Sequence, residues 1–270
     1  MEEKIDEKKG EMAIFISSKG GVGKTVMAVN TAAALASRGF STCILDGSFQ
    51  FGDVNLALDI QPRYTISDLV QKEEQLENAN ISNYLYTHDS GLKVLSAPLK
   101  PELADLITAP MIPTICKRLL QDNKYLIVDL TTGISEINLN FIEQADLVFV
   151  VTDLELNALK NTKTMLKTLE KLDMGNKVRV IVNRSDTETL TKASQVPDML
   201  ETDEAIYISD DYKVVSKSLN IGIPFVISKR KEKISSDVLN ITKEFSMENP
   251  ISVRRRRKRK RGLMGVLSRF

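Results

Sequence analysis

Short apolar runs recur along the chain, with stretches of helical period between them. Ala13–Ser17 (AIFIS), Thr42–Leu45 (TCIL), Lys93–Ser96 (KVLS), Tyr125–Leu130 (YLIVDL), Asp146–Thr152 (DLVFVVT), Val178–Asn183 (VRVIVN) and Pro224–Ile227 (PFVI) have a continuous Val, Ile and Leu character. Such runs mark strands buried on both faces of a parallel sheet. Helical spacing runs through Lys24–Ser37, Pro113–Gln121, Glu155–Leu172, Asp211–Leu219 and Ser235–Phe245. The alternation predicts an α/β fold: a doubly wound, mostly parallel sheet with helices on both faces. No internal repeat is found. One domain is expected over residues 13–247, after a charged leader at 1–12. Asn249-Pro250 breaks the pattern and sets off residues 248–270 as a tail.

Composition narrows the class. The chain has 270 residues, 42% hydrophobic and 27% charged, enough for a full core and close to globular averages. No apolar run reaches the ~18 residues of a membrane span. Met1 to Glu11 lacks the apolar stretch of a secretory signal. Two cysteines, Cys43 and Cys116, are too few for a disulfide scaffold or a four-cysteine metal site, and both fall at expected core positions. A soluble protein of a reducing compartment is expected. The net charge of +1 hides an asymmetry. Nine of the 37 basic residues lie in the last seventeen positions, which hold no acid; residues 1–253 keep 28 against all 36 acids, a formal −8. An acidic body of this kind is a poor match for nucleic acid, so contact with a polyanion is expected through the tail.

The first strand runs into Ser17-Ser18-Lys19-Gly20-Gly21-Val22-Gly23-Lys24-Thr25 and then an alanine-rich helix, the position of a P-loop. Glycines let backbone N–H groups curl around phosphate oxygens, and the helix N-terminus adds its partial positive charge. Lys24 is expected to reach the β- and γ-phosphates and the Thr25 hydroxyl to ligate Mg²⁺. Relative to G-x-x-x-x-G-K-[ST], Ser18 replaces the first glycine and Lys19 follows it.

With Lys19, the KGGVGKT run resembles the deviant Walker A motif of the ParA/MinD family, the SIMIBI-class ATPases. The resemblance implies a P-loop NTPase that binds ATP and Mg²⁺ and forms an ATP-dependent homodimer, with Lys19 reaching the partner's phosphates and Lys24 acting within its own chain. A second cation of this kind stabilises charge on a transferring phosphoryl group, as an arginine finger does. The resemblance places Asp46, at the end of Cys43-Ile44-Leu45-Asp46, in the Mg²⁺ and switch I region. It places Asp129, at the end of Tyr125–Asp129, as the Walker B aspartate on Mg²⁺, and Thr131-Thr132-Gly133 as switch II. Asn183 and Arg184 take the adenine-edge positions, and Asn220-Ile221-Gly222-Ile223-Pro224 matches the late N-x-G-x-P turn near the base.

Asp46-Gly47-Ser48-Phe49-Gln50-Phe51-Gly52-Asp53-Val54 is similar to the D-x-D-x-Q-F-G-D-V segment of the CpaE/TadZ pilus-assembly ATPases. The match continues through Leu58–Arg63, Ile66–Leu69, Ser90–Pro98 and Leu156–Asn161, and the resemblance spans about residues 13–245. Many CpaE/TadZ proteins carry a receiver-like domain first; here about twelve residues precede the first strand. Ser48 stands where the family commonly has a second aspartate that helps position or activate the attacking water. Serine is a poor base, so slow hydrolysis is expected, with ATP acting more as a dimerising ligand than as fuel.

The tail reads Arg254, Arg255, Arg256, Arg257, Lys258, Arg259, Lys260, Arg261, then Gly262 and a short apolar end. At 100° per residue Leu263, Met264, Val266, Leu267 and Phe270 fill one arc of about 160°, an amphipathic face. So short a helix is marginal in water, while adjacent cations attract an anionic leaflet. The combination is expected to bind an anionic membrane surface peripherally, and it resembles the C-terminal membrane-targeting helix of MinD proteins. Two tails in a dimer bind by avidity. Nothing in a DNA reader requires that apolar face.

The leading expectation is a cytoplasmic, membrane-recruited ATPase switch on the inner face of the cell membrane. It would position or assemble a Flp-type pilus or related secretion apparatus, with a protein of that machinery as partner. The alternatives are an ATP-dependent scaffold with negligible hydrolysis, a MinD-like division-site or flagellar-number regulator, and a ParA-like DNA-partition ATPase. Iron–sulfur branches are set aside on the core positions of the cysteines, and tyrosine-kinase relatives on the lack of a terminal tyrosine cluster. His88, the only histidine, falls in an expected loop and is assigned no role.

Overall fold

The structure is a computed structural model describing residues 10–73 and 75–245; the expected domain end at 247 and the tail, including every basic and apolar residue named in it, lie outside them. The described strands are β1 (Glu11–Ser17), β2 (Thr42–Gly47), β3 (Tyr86–Thr87), β4 (Lys93–Leu95), β5 (Tyr125–Thr132), β6 (Leu147–Thr152), β7 (Val178–Val182) and β8 (Ala205–Tyr207). The helices are α1 (Lys24–Ser37), α2 (Val54–Ala57), α3 (Ile66–Lys72), α4 (Ile112–Asp122), α5 (Glu136–Gln144), α6 (Leu156–Lys171), α7 (Val196–Leu200), α8 (Tyr212–Ile221), α9 (Phe225–Ser228) and α10 (Lys233–Ile241).

The strands form one sheet in the order β3-β4-β2-β5-β1-β6-β7-β8, parallel except for the β3–β4 pair. Strands two to five therefore lie on one side of β1 and six to eight on the other. A doubly wound sheet opens its ligand crevice at such a switch, outside the carboxyl ends of the strands.

Both faces are covered, which explains the unbroken apolar runs. Ala13 and Phe15 of β1 face a core built with α1, α9 and α10. Met12, Ile14 and Ile16 face a second core built with α3, α4, α5 and α6. Ala28, Ala32 and Ala33 of α1 are fully buried and let that helix lie close to the sheet. Cys43 and Cys116 are free and buried in the second core. No helix among the described residues is long and apolar enough to cross a membrane.

The structure corrects one expected strand. Pro224–Ile227 is not a strand; Phe225–Ser228 forms α9, with Pro224 at its N-cap. A four-residue apolar run cannot by itself distinguish a strand from a buried helical turn, and here Val226 N donates to Asn30 Oδ1 of α1 (3.2 Å). The helix expected over Ser235–Phe245 ends at Ile241 and continues as a 3₁₀ turn over Thr242–Glu244. The two short edge strands β3 and β8, and helices α3 and α5, carry too little periodicity to be read from the sequence.

Phe245 closes the described chain. Its fully buried ring lies 5.2 Å from Tyr125 and 6.1 Å from Phe149, which stacks on Phe15 at 4.9 Å. Phe245→Ala is expected to cost about 3–5 kcal/mol, measured by urea unfolding. A loss below about 1 kcal/mol would contradict this placement of the ring in the core.

Candidate nucleotide site

The site begins where β1 ends. Gly21 (φ +79°) and Gly23 (φ +91°) take the left-handed backbone that lets the loop curl before α1. A Cβ on Gly20 or Gly21 would meet nothing within 4 Å, so this part of the cradle faces outward. Gly23 is different, because a Cβ there would come within 2.4 Å of Asn183 Nδ2. That amide donates to Val22 O (2.9 Å), and Asn183 N donates to Thr152 O (2.8 Å), so the end of β7 braces the loop. On the other flank Ser18 Oγ lies 3.0 Å from Thr162 Oγ1 of α6.

Beneath the loop lies a buried charge cluster. Lys24 Nζ donates to Asp129 Oδ1 (2.8 Å) and Thr25 Oγ1 to Asp129 Oδ2 (2.6 Å). Asp46 is the register partner of Asp129 on the adjoining strand, and both carboxylates are fully buried. Asp46 Oδ1 accepts from Ser48 N and Oδ2 from Val54 N, each at 3.1 Å. Gly52 permits this, since a Cβ there would lie 2.4 Å from Asp46 Oδ2.

Burial pushes the Asp46 carboxyl up to about 7, and Asp129 beside it adds to the rise. Asp129 is raised too, again by burial, with Lys24 and Thr25 holding it back. Two carboxylates against one ammonium leave a negative charge unbalanced in a dry setting. Hard oxygen donors from Asp46, Asp129 and Thr25 suit a small divalent cation, so these residues fit the expected Mg²⁺.

Lys19 stands at the mouth of the loop, ion-paired with Glu155 at the start of α6. The hydrogen bond raises the Lys19 ammonium pKa and lowers that of the Glu155 carboxyl. Arg184 has a left-handed backbone (φ +52°), and its Nε lies 3.9 Å from Asp210 Oδ1. Asn183, Arg184, Asp210, Asp211 and Tyr212 border a cleft beside Gly23 and Val26. The sequence-expected adenine pair thus reaches that cleft, with the Asn183 amide turned onto the loop. None of Asn220–Pro224 lines that cleft. Gly222 (φ +65°) abuts Leu58 and Asp59, and its carbonyl oxygen lies 3.2 Å from His88 Nε2.

Sequence reasoning missed three contributors. Asn138, buried on α5, donates through Nδ2 to Gly133 O (2.8 Å) and fixes the end of β5 expected as switch II. Its only local signal is Ser135 three residues earlier, whose Oγ caps the helix by accepting from Asn138 N. Glu155 and Thr162 gave no sign in sequence, because each acts across more than a hundred residues.

Comparison with known proteins agrees with this fold. The ParA family model, described as NUBPL iron-transfer P-loop NTPase, matches residues 9–246. The septum site-determining protein MinD of Thermotoga maritima is 26% identical over 250 residues, covering 88% of this chain and 89% of that protein. A ParA family ATPase from Chlorobium tepidum superposes with a TM-score of 0.79 at 21% identity, covering 86% of this chain and 97% of that one. MinD of Pyrococcus horikoshii, solved as a complex with Mg-ADP, gives a TM-score of 0.75 at 20% identity, covering 87% and 95%.

Two outcomes follow from the geometry. Asn183→Ala is expected to weaken ATP–Mg²⁺ binding about tenfold by calorimetry while circular dichroism is unchanged; unaltered affinity would contradict the brace. The second concerns pH. A carboxyl whose pKa is higher folded than unfolded contributes stability that is complete below the unfolded range and lost as pH rises through the folded value. With chelator present, Tm should fall between about pH 4 and about pH 7, and Asp46→Asn should flatten that fall. An unchanged slope would contradict the assignment to Asp46.

Proposed function

Because this chain belongs to the ParA family of P-loop NTPases, we propose that it is an ATP-dependent dimerising switch, recruited to a membrane, that positions other machinery. The observation that carries the reading is the arrangement at one sheet end. A glycine loop lies over Lys24, Thr25 and Asp129, with Asp46 beside them and a second lysine, Lys19, at the mouth.

Bound ATP–Mg²⁺ supplies a polyphosphate that two chains can share and a divalent charge that balances Asp46 and Asp129. The loop backbone from Ser18 to Thr25 and the Lys24 ammonium would hold the phosphates. Thr25, Asp129 and Asp46 would hold the metal, and Arg184 would border the base. Lys19 would leave Glu155 to serve a partner chain. Ser48 is a poor base, and its hydroxyl donates to Phe51 O (3.1 Å), which supports slow turnover.

MinD-like site placement is the setting that the T. maritima relative suggests. The pilus or secretion reading rests on sequence likeness to pilus-assembly ATPases, chiefly in the Asp46–Val54 segment and further in Leu58–Arg63, Ile66–Leu69, Ser90–Pro98 and Leu156–Asn161. Residence on the inner face of the cell membrane would come from Arg254–Arg261 and the apolar end of the tail. Iron transfer is not carried over, because Cys43 and Cys116 are buried with thiols pushed up to about 12.

Light scattering tests the switch. The full chain is expected to be a dimer with ATP–Mg²⁺ and a monomer with ADP–Mg²⁺, and Lys19→Ala to stay monomeric while still binding nucleotide. A wild type that is monomeric in both states would overturn it. Ser48→Asp is expected to raise turnover about tenfold or more; no gain would count against the role given to Ser48.

A further inference from the structure

The cleft beside the phosphate loop has an apolar floor and an anchored rim. Val26 and Met27 of α1, Val215 of α8 and Ile234 of α10 form the floor, with Met27 and Ile234 buried. The rim is the chain between β8 and α8. There Ser209 N and Oγ donate to Asp237 Oδ2 (2.9 and 2.7 Å), and Asp210 N donates to Asp186 Oδ1 (2.7 Å). Asp211 is the N-cap of α8, its Oδ1 accepting from Val214 N (3.0 Å). Three consecutive residues are thus tied down, and the next is Tyr212. It lines the cleft and is 75% exposed, and among the described residues its side chain has no hydrogen-bond or ring partner.

A single exposed tyrosine needs no explanation on most surfaces. This one stands on a backbone that is already fixed, so little ordering is left to pay when its ring is covered. What covers it follows from its neighbours. The cleft adjoins the phosphate loop at Gly23 and the first turn of α1 at Val26 and Met27. A nucleotide anchored by its phosphates in that loop presents its base to the cleft. A flat base meets the valine and isoleucine floor and can lay one face on the Tyr212 ring, where stacking adds to the gain from burial. A two-ring base covers more of that ring than a one-ring base does, so the contact favours a purine.

We propose that Tyr212 stacks on the base of the bound nucleotide and makes the cleft select adenine over a one-ring base. The proposal rests on the ATP reading given above and adds to it a residue that holds the base and not the phosphates.

Calorimetry on the full chain with Mg²⁺ tests it through ADP, CDP and inorganic pyrophosphate, diphosphates being used so that dimerisation does not enter the affinity. The wild type is expected to bind ADP more tightly than CDP. Tyr212→Ala should weaken ADP about tenfold or more, weaken CDP less and leave pyrophosphate unchanged, while Tyr212→Phe should restore both nucleotides. The 2-aminopurine analogue of ADP adds a spectroscopic signature, because a stacked base loses its fluorescence. Quenching on binding is expected in the wild type and in Tyr212→Phe, and its relief in Tyr212→Ala. Equal losses for ADP and pyrophosphate would overturn the proposal, as would an ADP affinity unchanged in Tyr212→Ala, or a loss in Tyr212→Phe as large as in Tyr212→Ala. A preference for ADP over CDP that persists in Tyr212→Ala would overturn selection by the ring. A wild type that binds neither ADP nor pyrophosphate would instead remove the nucleotide reading itself, and the proposal with it.

Discussion

The structure turns on a buried imbalance of charge. Asp46 and Asp129 are side by side in register at the carboxyl ends of β2 and β5, and only Lys24 faces them from the loop. Placing two carboxylates in a dry interior is costly unless hydrogen bonds and cations surround them. Much of the local architecture serves that need. Ser48 and Val54 donate backbone N–H groups to Asp46, Gly52 leaves room for its carboxylate, and Thr25 completes the shell of Asp129. The remaining negative charge is what makes the place suited to a divalent cation and its nucleotide.

Around that cluster the sheet order brings both halves of the chain to one loop. β5 and β6 flank β1; the end of β7 sends Asn183 back to Val22, and α6 supplies Thr162 and Glu155. A change at the loop is therefore felt by elements on both sides of the crevice. Asn138 does the same for the end of β5, tying Gly133 to α5. Beside the loop the base cleft draws on α1, α8 and α10, with Arg184 and Tyr212 at its border.

Much of this was legible in the chain. Strands buried on both faces betray themselves as unbroken Val, Ile and Leu runs, and the β1–loop–α1 junction is marked by its glycines and lysines. Asp46 and Asp129 were readable because they end such runs behind that loop. Pro224–Ile227 misled because three apolar residues after a proline fit a strand and a helical turn equally. Asn138, Glu155 and Thr162 left no pattern, since their partners are set by tertiary packing. Tyr212, Val215 and Ile234 join Val26 and Met27 only in the folded cleft, and no linear motif announces such a set. The tail, by contrast, is legible only as sequence.

The most direct test of the switch is co-sedimentation of the full chain with anionic liposomes, comparing ATP–Mg²⁺ with ADP–Mg²⁺. Pelleting with ATP and not with ADP is the expected result, because paired tails bind by avidity where a single tail binds weakly. Equal pelleting in both states would contradict nucleotide control of membrane residence.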